Sequence, residues 1–419
     1  MDRREFIKSS SALTGLTIAG SLGGVLAQSN EPIKIGLMAP LTGVIAAGGK
    51  EIVEGFNLFW EKVGKTVAGR EVQIFIEDDG SNPDIALQKA RKLTEQTKVD
   101  FLMGNLLANT GLAVAEYAKT NGIPYFIPVI AADDLTQRKR IPNVVRIAGY
   151  TASQTSHPMG DYAFKKMGFK KIMTISQDYT FGHEQCGGFC QVFTELGGKV
   201  VGQLWNPLNT QDFSPYIAQI QAAKPDALFV METGADANRF IQQWNSFGMK
   251  GKIPILGAQN ATDQSVIRTV GADAEGMISA AHFAEGSPNV DTQKFVAEYN
   301  IAYKQFPSIY GFSHYTACMW LYEALKKVNG NVQDRAKLLA AVKSITLESS
   351  PIGRPVKLDD YGNPVYDVFI RQVVKRPDGK YWNVPIDSYP SVSQFWKYKP
   401  EEYMKQPAYS RTYQGIKGA

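Results

Sequence analysis

Cysteine is scarce in this chain of 419 residues, which contains only Cys186, Cys190 and Cys318. A metal site is not expected around them, because His183 alone lies nearby and no second pair of ligands exists. One local disulfide, between Cys186 and Cys190, remains an open alternative. Because i,i+4 spacing on a helix is awkward for disulfide geometry, two small buried thiols are the favoured interpretation.

Blocks of one charge sign are also missing. The 45 lysines and arginines nearly balance the 40 aspartates and glutamates, and the net charge of +5 is spread along the chain. Nucleic acid is therefore not an expected partner. With 44% hydrophobic residues, the chain can build real cores, and its length leaves room for two or three domains.

Motifs of common enzyme classes are absent. The sequence has no G-x-S-x-G elbow, no Walker loop and no H-E-x-x-H, and its four histidines are scattered. The acidic cluster Glu77 to Asp79 follows a predicted strand, where adjacent side chains point to opposite faces, and this argues against a catalytic pair. Capping the turn at Asn82 and the helix after it is a simpler role. We expect no enzyme activity and no cofactor.

A strongly apolar run long enough for a membrane span, about 20 residues, is missing as well. The run from Ala12 to Leu26 is weakly hydrophobic and rich in glycine, and Arg3 and Arg4 precede it. This pattern predicts that residues 1–27 are an export signal of the twin-arginine type, cleaved near Ala27. An uncleaved anchor is the second interpretation.

The first folded stretch, from Ile33 to Val63, sets the plan of the chain. An apolar run stops at Pro40, and a loop of small residues, Leu41 to Gly49, follows. The next apolar residues recur at three- and four-residue steps, as in an amphipathic helix packed on a sheet. Ligands of open α/β sheets lie beyond the carboxyl ends of strands, so this loop is a candidate binding surface. Its alternative role is an ordinary strand-to-helix connection.

The alternation of strands and helices continues along the chain and restarts near Val144 to Thr151. This predicts an α/β fold with two doubly wound, largely parallel sheets and no flexible linker between them. The residues from Asp291 to Ile345 are predicted to be helical, and those from Pro351 to Val374 to be rich in strands. The other predicted strands are 71–76, 100–103, 123–129, 171–176, 199–205, 226–231, 253–256 and 276–281.

The end of the chain, residues 389–419, is rich in tyrosine, tryptophan and proline. The favoured interpretation is an aromatic arm packed against one lobe. The alternative is a docking surface for a partner or a second subunit.

Short motifs in a characteristic order are spread over the chain. They include Ile35 to Gly43, Glu77 to Asp79, Gly122-Ile123-Pro124, Asp178 to Gly182, Asp212-Phe213, Lys224 to Ala227, Ala274-Glu275-Gly276 and Pro351-Ile352-Gly353. In order and spacing the sequence resembles the periplasmic substrate-binding proteins of ABC importers, of the branched-chain amino-acid-binding type.

The resemblance implies a type I periplasmic binding protein, in which two doubly wound parallel-sheet lobes, joined by a three-strand hinge, close on a small ligand. It also implies a periplasmic location and an ABC permease of the inner membrane as partner. The expected N-terminal lobe is 31–148 plus 284–345, and the expected C-terminal lobe is 149–283 plus 346–388. A ligand sensor with the same fold and an exported hydrolase are the alternatives.

The family pattern also bears on the class of ligand. In members that bind α-amino acids, a hydroxyl residue and a threonine hold the carboxylate, and a glutamate pairs with the ammonium. Here Ala108, Ala131 and Gln259 fall at those positions. Leaving one charge of a buried pair without its partner costs about 3–5 kcal/mol, so an amino acid is disfavoured. Glu232 could supply the missing carboxylate, which keeps the amino-acid alternative open.

Apolar walls with few polar groups suit a flat, weakly polar ligand such as an aromatic carboxylate. Backbone N–H groups where the helix after Asn109 begins could hold its carboxylate, and Gln259 could hydrogen-bond a ring substituent. Core packing behind the loops is the alternative role for the apolar side chains. The predicted ligand-binding residues are Thr42, Val44, Ala46, Leu106, Leu107, Ala108, Asn109, Val129, Ile130, Ala131, Tyr150, Phe181, Glu232 and Gln259.

Overall fold

The computed structural model describes residues 31–418, so the predicted export signal lies outside the described residues. In this part of the chain, no helix combines the length and the apolar character needed to cross a bilayer. The first parallel sheet has the strand order β2-β3-β1-β4-β5-β6, and only β2 runs antiparallel to its neighbour. Its elements are β1 Ile33–Ala39, α1 Ala46–Lys62, β2 Thr66–Val67, β3 Arg70–Asp78, α2 Pro83–Arg91, β4 Phe101–Gly104, α3 Ala108–Asn121, β5 Tyr125–Phe126 and β6 Val144–Val145.

The second sheet has the order β12-β13-β14-β11-β10-β9-β7-β8, with β15 paired to β14. Strands β7 to β11 are parallel, whereas β12 to β15 are antiparallel. Its first elements are α4 Ala152–Lys165, β7 Lys171–Gln177, α5 Thr180–Glu195, β8 Lys199–Asn206, α6 Ser214–Ala223, β9 Ala227–Met231, α7 Gly234–Ser246, β10 Ile255–Ala258, α8 Gln264–Val270 and β11 Ile278–Ala281. The remaining elements of the chain are α9 Val290–Tyr303, α10 Ile309–Lys327, α11 Arg335–Lys343, β12 Thr346–Leu347, β13 Val356–Leu358, β14 Pro364–Lys375, β15 Tyr381–Val392 and α12 Pro400–Lys405.

The chain passes between the two sheets three times: after β6, after β11 and after α11. Helix α10 returns to the first sheet and packs on α1. At their contact the two helices touch through glycines, because a Cβ atom at Gly55 would lie 2.0 Å from the carbonyl oxygen of Gly311. Helix α11 then joins α10, and the indole N–H of Trp320 donates to the carbonyl of Val342 at 2.8 Å.

The predicted α/β fold with two parallel-sheet lobes is confirmed. The side chain of Asn82 caps α2, since it accepts the N–H groups of Asp84 and Ile85. The predicted strand 123–129 was wrong in extent, because β5 contains two residues. Pro128 has no N–H to donate to a ladder, which limits this strand.

The three cysteines are free and buried. The alternative disulfide between Cys186 and Cys190 is therefore not formed, and the interpretation as small buried thiols is confirmed. Burial raises the pKa of the Cys186 thiol to about 12. A thiol with such a pKa is not a nucleophile at neutral pH.

Candidate functional site

A small cavity lies at the carboxyl ends of parallel strands from both sheets. Its walls come from the segments that follow β4, β5, β6, β7, β9 and β10, which is where ligands of open α/β sheets bind. The lining residues are Leu106, Ala108, Val129, Ala131, Tyr150, Tyr179, Phe181, Thr233 and Asn260. Six of these were predicted from the sequence: Leu106, Ala108, Val129, Ala131, Tyr150 and Phe181.

The cavity is narrow in this conformation. Its volume is about 10 Å³, roughly the space of one water molecule. Pockets for small molecules typically measure about 300–1,000 Å³. An organic ligand can therefore enter only if the walls move apart.

The N-termini of three helices meet at this cavity. Ala108 begins α3, Phe181 lies in the first turn of α5, and Thr233 is the residue before α7. At these three N-termini the capping side chain accepts no hydrogen bond from a helix N–H group. The first N–H groups of a helix and the positive end of its dipole favour a bound anion.

Aromatic rings form one side of the cavity. Tyr150 and Phe181 pack edge to face with ring centroids 6.5 Å apart, and Tyr179 lies 6.1 Å from Phe181. Burial raises the pKa of Tyr150 far above its usual value, and its hydroxyl lies beside the amides of Gln259 and Asn260. The cavity therefore offers aromatic faces and a neutral hydroxyl.

Gln259 lies next to the lining residues without being one of them. Its side chain is fully buried, and Oε1 lies 3.1 Å from Nδ1 of His282. Its backbone carbonyl accepts a hydrogen bond from Nη2 of Arg371 at 2.7 Å. The neighbouring Asn260 lines the cavity and donates its side-chain N–H to the Tyr310 hydroxyl at 3.0 Å.

Glu232 is fully buried and also lies outside the lining set. The amide of Asn206 lies 3.4 Å from its Oε2 atom. Burial raises the pKa of Glu232 well above its ordinary value, and the nearby Asp236 adds to this effect.

The loop between β1 and α1 forms the rim of the site. Thr42 is exposed, and its hydroxyl donates to Asp78 at 2.7 Å, which fixes the shape of the loop. The carbonyl of Val44 accepts the N–H of Ala235 at 3.4 Å, so the loop contacts the N-terminus of α7. Ala46, half-buried, is the first residue of α1.

Three further predicted residues lie behind the wall. The carbonyl of Leu107 accepts the Thr110 hydroxyl at 2.8 Å. The side chain of Asn109 accepts the N–H of Thr110 at 3.0 Å. Ile130 packs on Gly111, where a Cβ atom would come within 2.6 Å of it. Leu107 and Asn109 are thus hydrogen-bonded within the first turn of α3, and Ile130 packs against the same turn.

Comparison with known proteins identifies the fold and the family. The sequence model of the family described as periplasmic binding protein matches residues 32–380. The chain belongs to this family. Its resemblance to the substrate-binding proteins of ABC transporters is thereby confirmed, and its relatives are binding proteins rather than enzymes.

Three relatives illustrate the range of ligands around this binding protein. Leu/Ile/Val-binding protein homolog 6 of Brucella abortus (strain 2308) is 28% identical over 90% of this chain and 96% of its own. A solute binding protein of Rhodopseudomonas palustris BisB5, solved with 3,4-dihydroxybenzoic acid, is 31% identical over 87% of this chain and 98% of its own, with a TM-score of 0.82. A solute binding protein of R. palustris, solved with benzoate, is 29% identical over 86% of this chain and 97% of its own, with a TM-score of 0.80.

Sequence reasoning missed three lining residues of this binding protein: Tyr179, Thr233 and Asn260. Each lies within two residues of a predicted one. Thr233 follows Glu232, and Asn260 follows Gln259. A signal was present, since all three come directly after the carboxyl ends of parallel strands. After β9 and β10 the predicted residue lies one position before the lining residue, whereas after β7 the predicted Phe181 lines the cavity as well.

Proposed function

We propose that this binding protein captures an aromatic carboxylate of the benzoate type and delivers it to an ABC permease of the inner membrane. The observation that supports this most is the meeting of three helix N-termini at a cavity with aromatic and aliphatic walls. The helix N–H groups would hold the carboxylate, while Tyr150, Tyr179 and Phe181 would contact the ring.

The capture involves two lobes, 31–148 plus 284–345 and 149–283 plus 346–388. The cavity walls divide between them. The residues from 106 to 131 belong to the first lobe, and those from 150 to 260 to the second. A ligand that contacts both sets favours the closed arrangement by its extra contacts there.

An amino acid is the second candidate, because curated relatives are named as Leu/Ile/Val-binding protein homologues. Among the described residues, however, those that line the cavity carry no charged side chain. Glu232 is not among them, so an ammonium group in the cavity would be buried without a charged partner in the lining. Such a loss costs about 3–5 kcal/mol, or more than a hundredfold in affinity. This cost favours a ligand that has a carboxylate and no ammonium group.

Delivery to a permease of the inner membrane requires export. Residues 1–27 would direct the chain to the periplasm, with cleavage near Ala27. A sensor that uses the same closure would need a signalling partner in place of the permease.

The ligand class is tested by thermal unfolding with a panel of acids. Benzoate, 4-hydroxybenzoate or cinnamate at about 100 times its Kd should stabilise the protein by about 2.7 kcal/mol, because only the folded state binds. We expect the unfolding midpoint to rise by several degrees with at least one of these acids. Leucine and valine should leave it unchanged. A rise with leucine and none with the aromatic acids would refute the proposal.

The site itself is tested by Phe181→Ala. Loss of the ring removes about 1.5–3 kcal/mol of apolar contact, so affinity for the aromatic acid should fall about tenfold to a hundredfold. Isothermal titration calorimetry measures the change. The matched control is Phe247→Ala, since Phe247 is 46% exposed at the far end of α7. Equal affinity in both variants would place the ligand elsewhere.

A further inference from the structure

The C-terminal segment, residues 393–418, lies outside the part of the chain that the family model matches, which ends at residue 380. It packs along α5, whose first turn lines the cavity. At the far end of α5, the N–H of Lys417 donates to the Thr194 hydroxyl at 3.0 Å. At the near end, the side-chain N–H of Gln414 donates to the carbonyl of His183 at 3.0 Å. The segment therefore follows α5 toward the ligand site.

Aromatic packing fixes this segment in place. The rings of Trp396, Tyr398, Tyr403 and Tyr409 surround the buried His157 of α4 with centroids within 6.4 Å. Tyr409 lies directly on Gly187 of α5, where a Cβ atom would come within 2.3 Å of its ring. Only a residue without a side chain allows this approach. The segment is thus seated on both helices.

Arg411 extends from this segment to the loop between β7 and α5. Its Nη1 atom lies 2.6 Å from Oδ2 of Asp178. The other carboxylate oxygen lies 2.8 Å from Nε2 of His183, and the backbone N–H of Asp178 donates to the carbonyl of Asn206 at 2.8 Å. Tyr179, the next residue, precedes α5 and lines the cavity. The residue that pairs with Arg411 is therefore the direct chain neighbour of the cavity wall.

We propose that the C-terminal segment positions the cavity wall formed by Tyr179 and Phe181, and that Arg411 acts on this wall through Asp178. A loop held in its binding conformation loses less conformational freedom when the ligand arrives, so affinity rises without a new ligand contact. The Arg411 side chain is 60% exposed, and exposed ion pairs contribute little to global stability. The effect of Arg411 is therefore local to the loop.

Hydrogen exchange tests this positioning without any ligand. In Arg411→Ala of the full mature chain, amides of residues 178–184 should exchange about fivefold faster, the factor that an ion pair of this kind supplies. The matched control is Lys417→Ala, since Lys417 Nζ lies 3.9 Å from Glu195 at the other end of α5. It should leave these amides unchanged. Arg411→Lys should restore part of the protection because it keeps the charge.

Ligand affinity is the second measurement, and it rests on the proposed function. For the acid that raises the unfolding midpoint, Arg411→Ala should weaken binding about fivefold, mainly through a faster off-rate, and Lys417→Ala should not. Unchanged exchange at residues 178–184 in Arg411→Ala would overturn the inference, whatever the ligand is. Faster exchange in a protein that binds no aromatic acid would support the positioning and refute the proposed ligand class instead.

Discussion

Replacing Arg146 by methionine is expected to lower the free energy of unfolding by about 3–5 kcal/mol, the range for removing one partner from a buried charged network. The Arg146 side chain is fully buried. It donates to the carbonyls of Ile130 and Ala132 at 3.0 and 2.6 Å, to the Thr136 hydroxyl, and to Oδ1 of Asn363 at 2.9 Å. Methionine has a similar length and no donors, so all four acceptors would lose a buried hydrogen bond.

The same substitution should weaken ligand binding, because Arg146 holds one wall of the cavity. The two carbonyls it binds flank Ala131, which lines the cavity. Asn363 lies just before β14 of the second sheet, so the guanidinium also links the two parts of the chain. Burial lowers the pKa of Arg146 to about 10, and it therefore remains charged at neutral pH. These contacts give Arg146 a structural role.

Urea unfolding at 25 °C measures this loss. The matched control is Arg140→Met, since Arg140 is exposed and donates to the carbonyl of Asp360 at 3.0 Å. The control should lose less than about 1 kcal/mol, as is usual at exposed sites. Arg146→Lys should also have a clearly lower free energy of unfolding than the wild type. A single ammonium group cannot reach the four acceptors that the forked guanidinium of arginine reaches. An Arg146→Met protein within 1 kcal/mol of the wild type would show that the four contacts are dispensable.

The fold could be predicted from the sequence because helix and strand periodicities differ. The stretch from Ile33 to Val63 shows this. Its apolar run became β1, its three- and four-residue pattern became α1, and the loop between them became the rim of the site. Alternation of such units leaves few topologies other than doubly wound parallel sheets.

The detail of the site could be predicted only in part. Where the lining residues lie in the first turn of a helix, as Ala108 and Phe181 do, the predicted residues line the cavity. At Glu232 and Gln259 the prediction fell one residue before the lining residue. Side chains alternate regularly along a strand, and this rule ends where the strand ends. The first residues after a strand can turn either way, and only tertiary contacts decide which of them lines the cavity.

The C-terminal segment shows a second limit. Its aromatic content indicated packing against a lobe, and the buried rings of Phe395, Tyr403 and Tyr409 agree with this interpretation. The partner surface could not be found from the sequence. His157 and Tyr409 are 252 positions apart, and no local pattern links them. The strand β15 also extends to Val392, so the first four residues of the predicted arm belong to the second sheet.

Glu51→Gln should make the protein less sensitive to pH than the wild type. Glu51 of α1 is buried, pairs with Arg268 of α8 and accepts the N–H of Ser308 at 2.9 Å. Burial raises its pKa to about 7, and the nearby Asp263 adds to this, although Arg268 opposes it. Arg268 remains 28% exposed and keeps part of its hydration. The cost of desolvation therefore falls on the carboxylate, and the ion pair does not fully offset it.

The direction of this pH dependence follows from the pKa of Glu51 in the folded protein and in the unfolded chain. The pKa of Glu51 is about 7 in the folded protein, against an ordinary value of 4.5 for a glutamate. Between these values the folded protein keeps a proton that the unfolded chain has released, so the Glu51 contribution to stability falls as pH rises. From pH 5 to pH 8 this amounts to a loss on the order of 2–3 kcal/mol. Glutamine has the same size and cannot ionise.

Urea unfolding of both proteins at pH 5 and pH 8 tests this, because other titrating groups cancel in the difference between variant and wild type. The Glu51→Gln protein should gain about 2–3 kcal/mol relative to the wild type over this interval. Glu61→Gln, at an exposed position of the same helix, should stay within about 0.5 kcal/mol of the wild type at both pH values. If the free energy of unfolding of Glu51→Gln instead falls relative to the wild type as pH rises, the ionised pair with Arg268 outweighs the desolvation of Glu51. That pair would then be a stabilising link between α1 on the first sheet and α8 on the second.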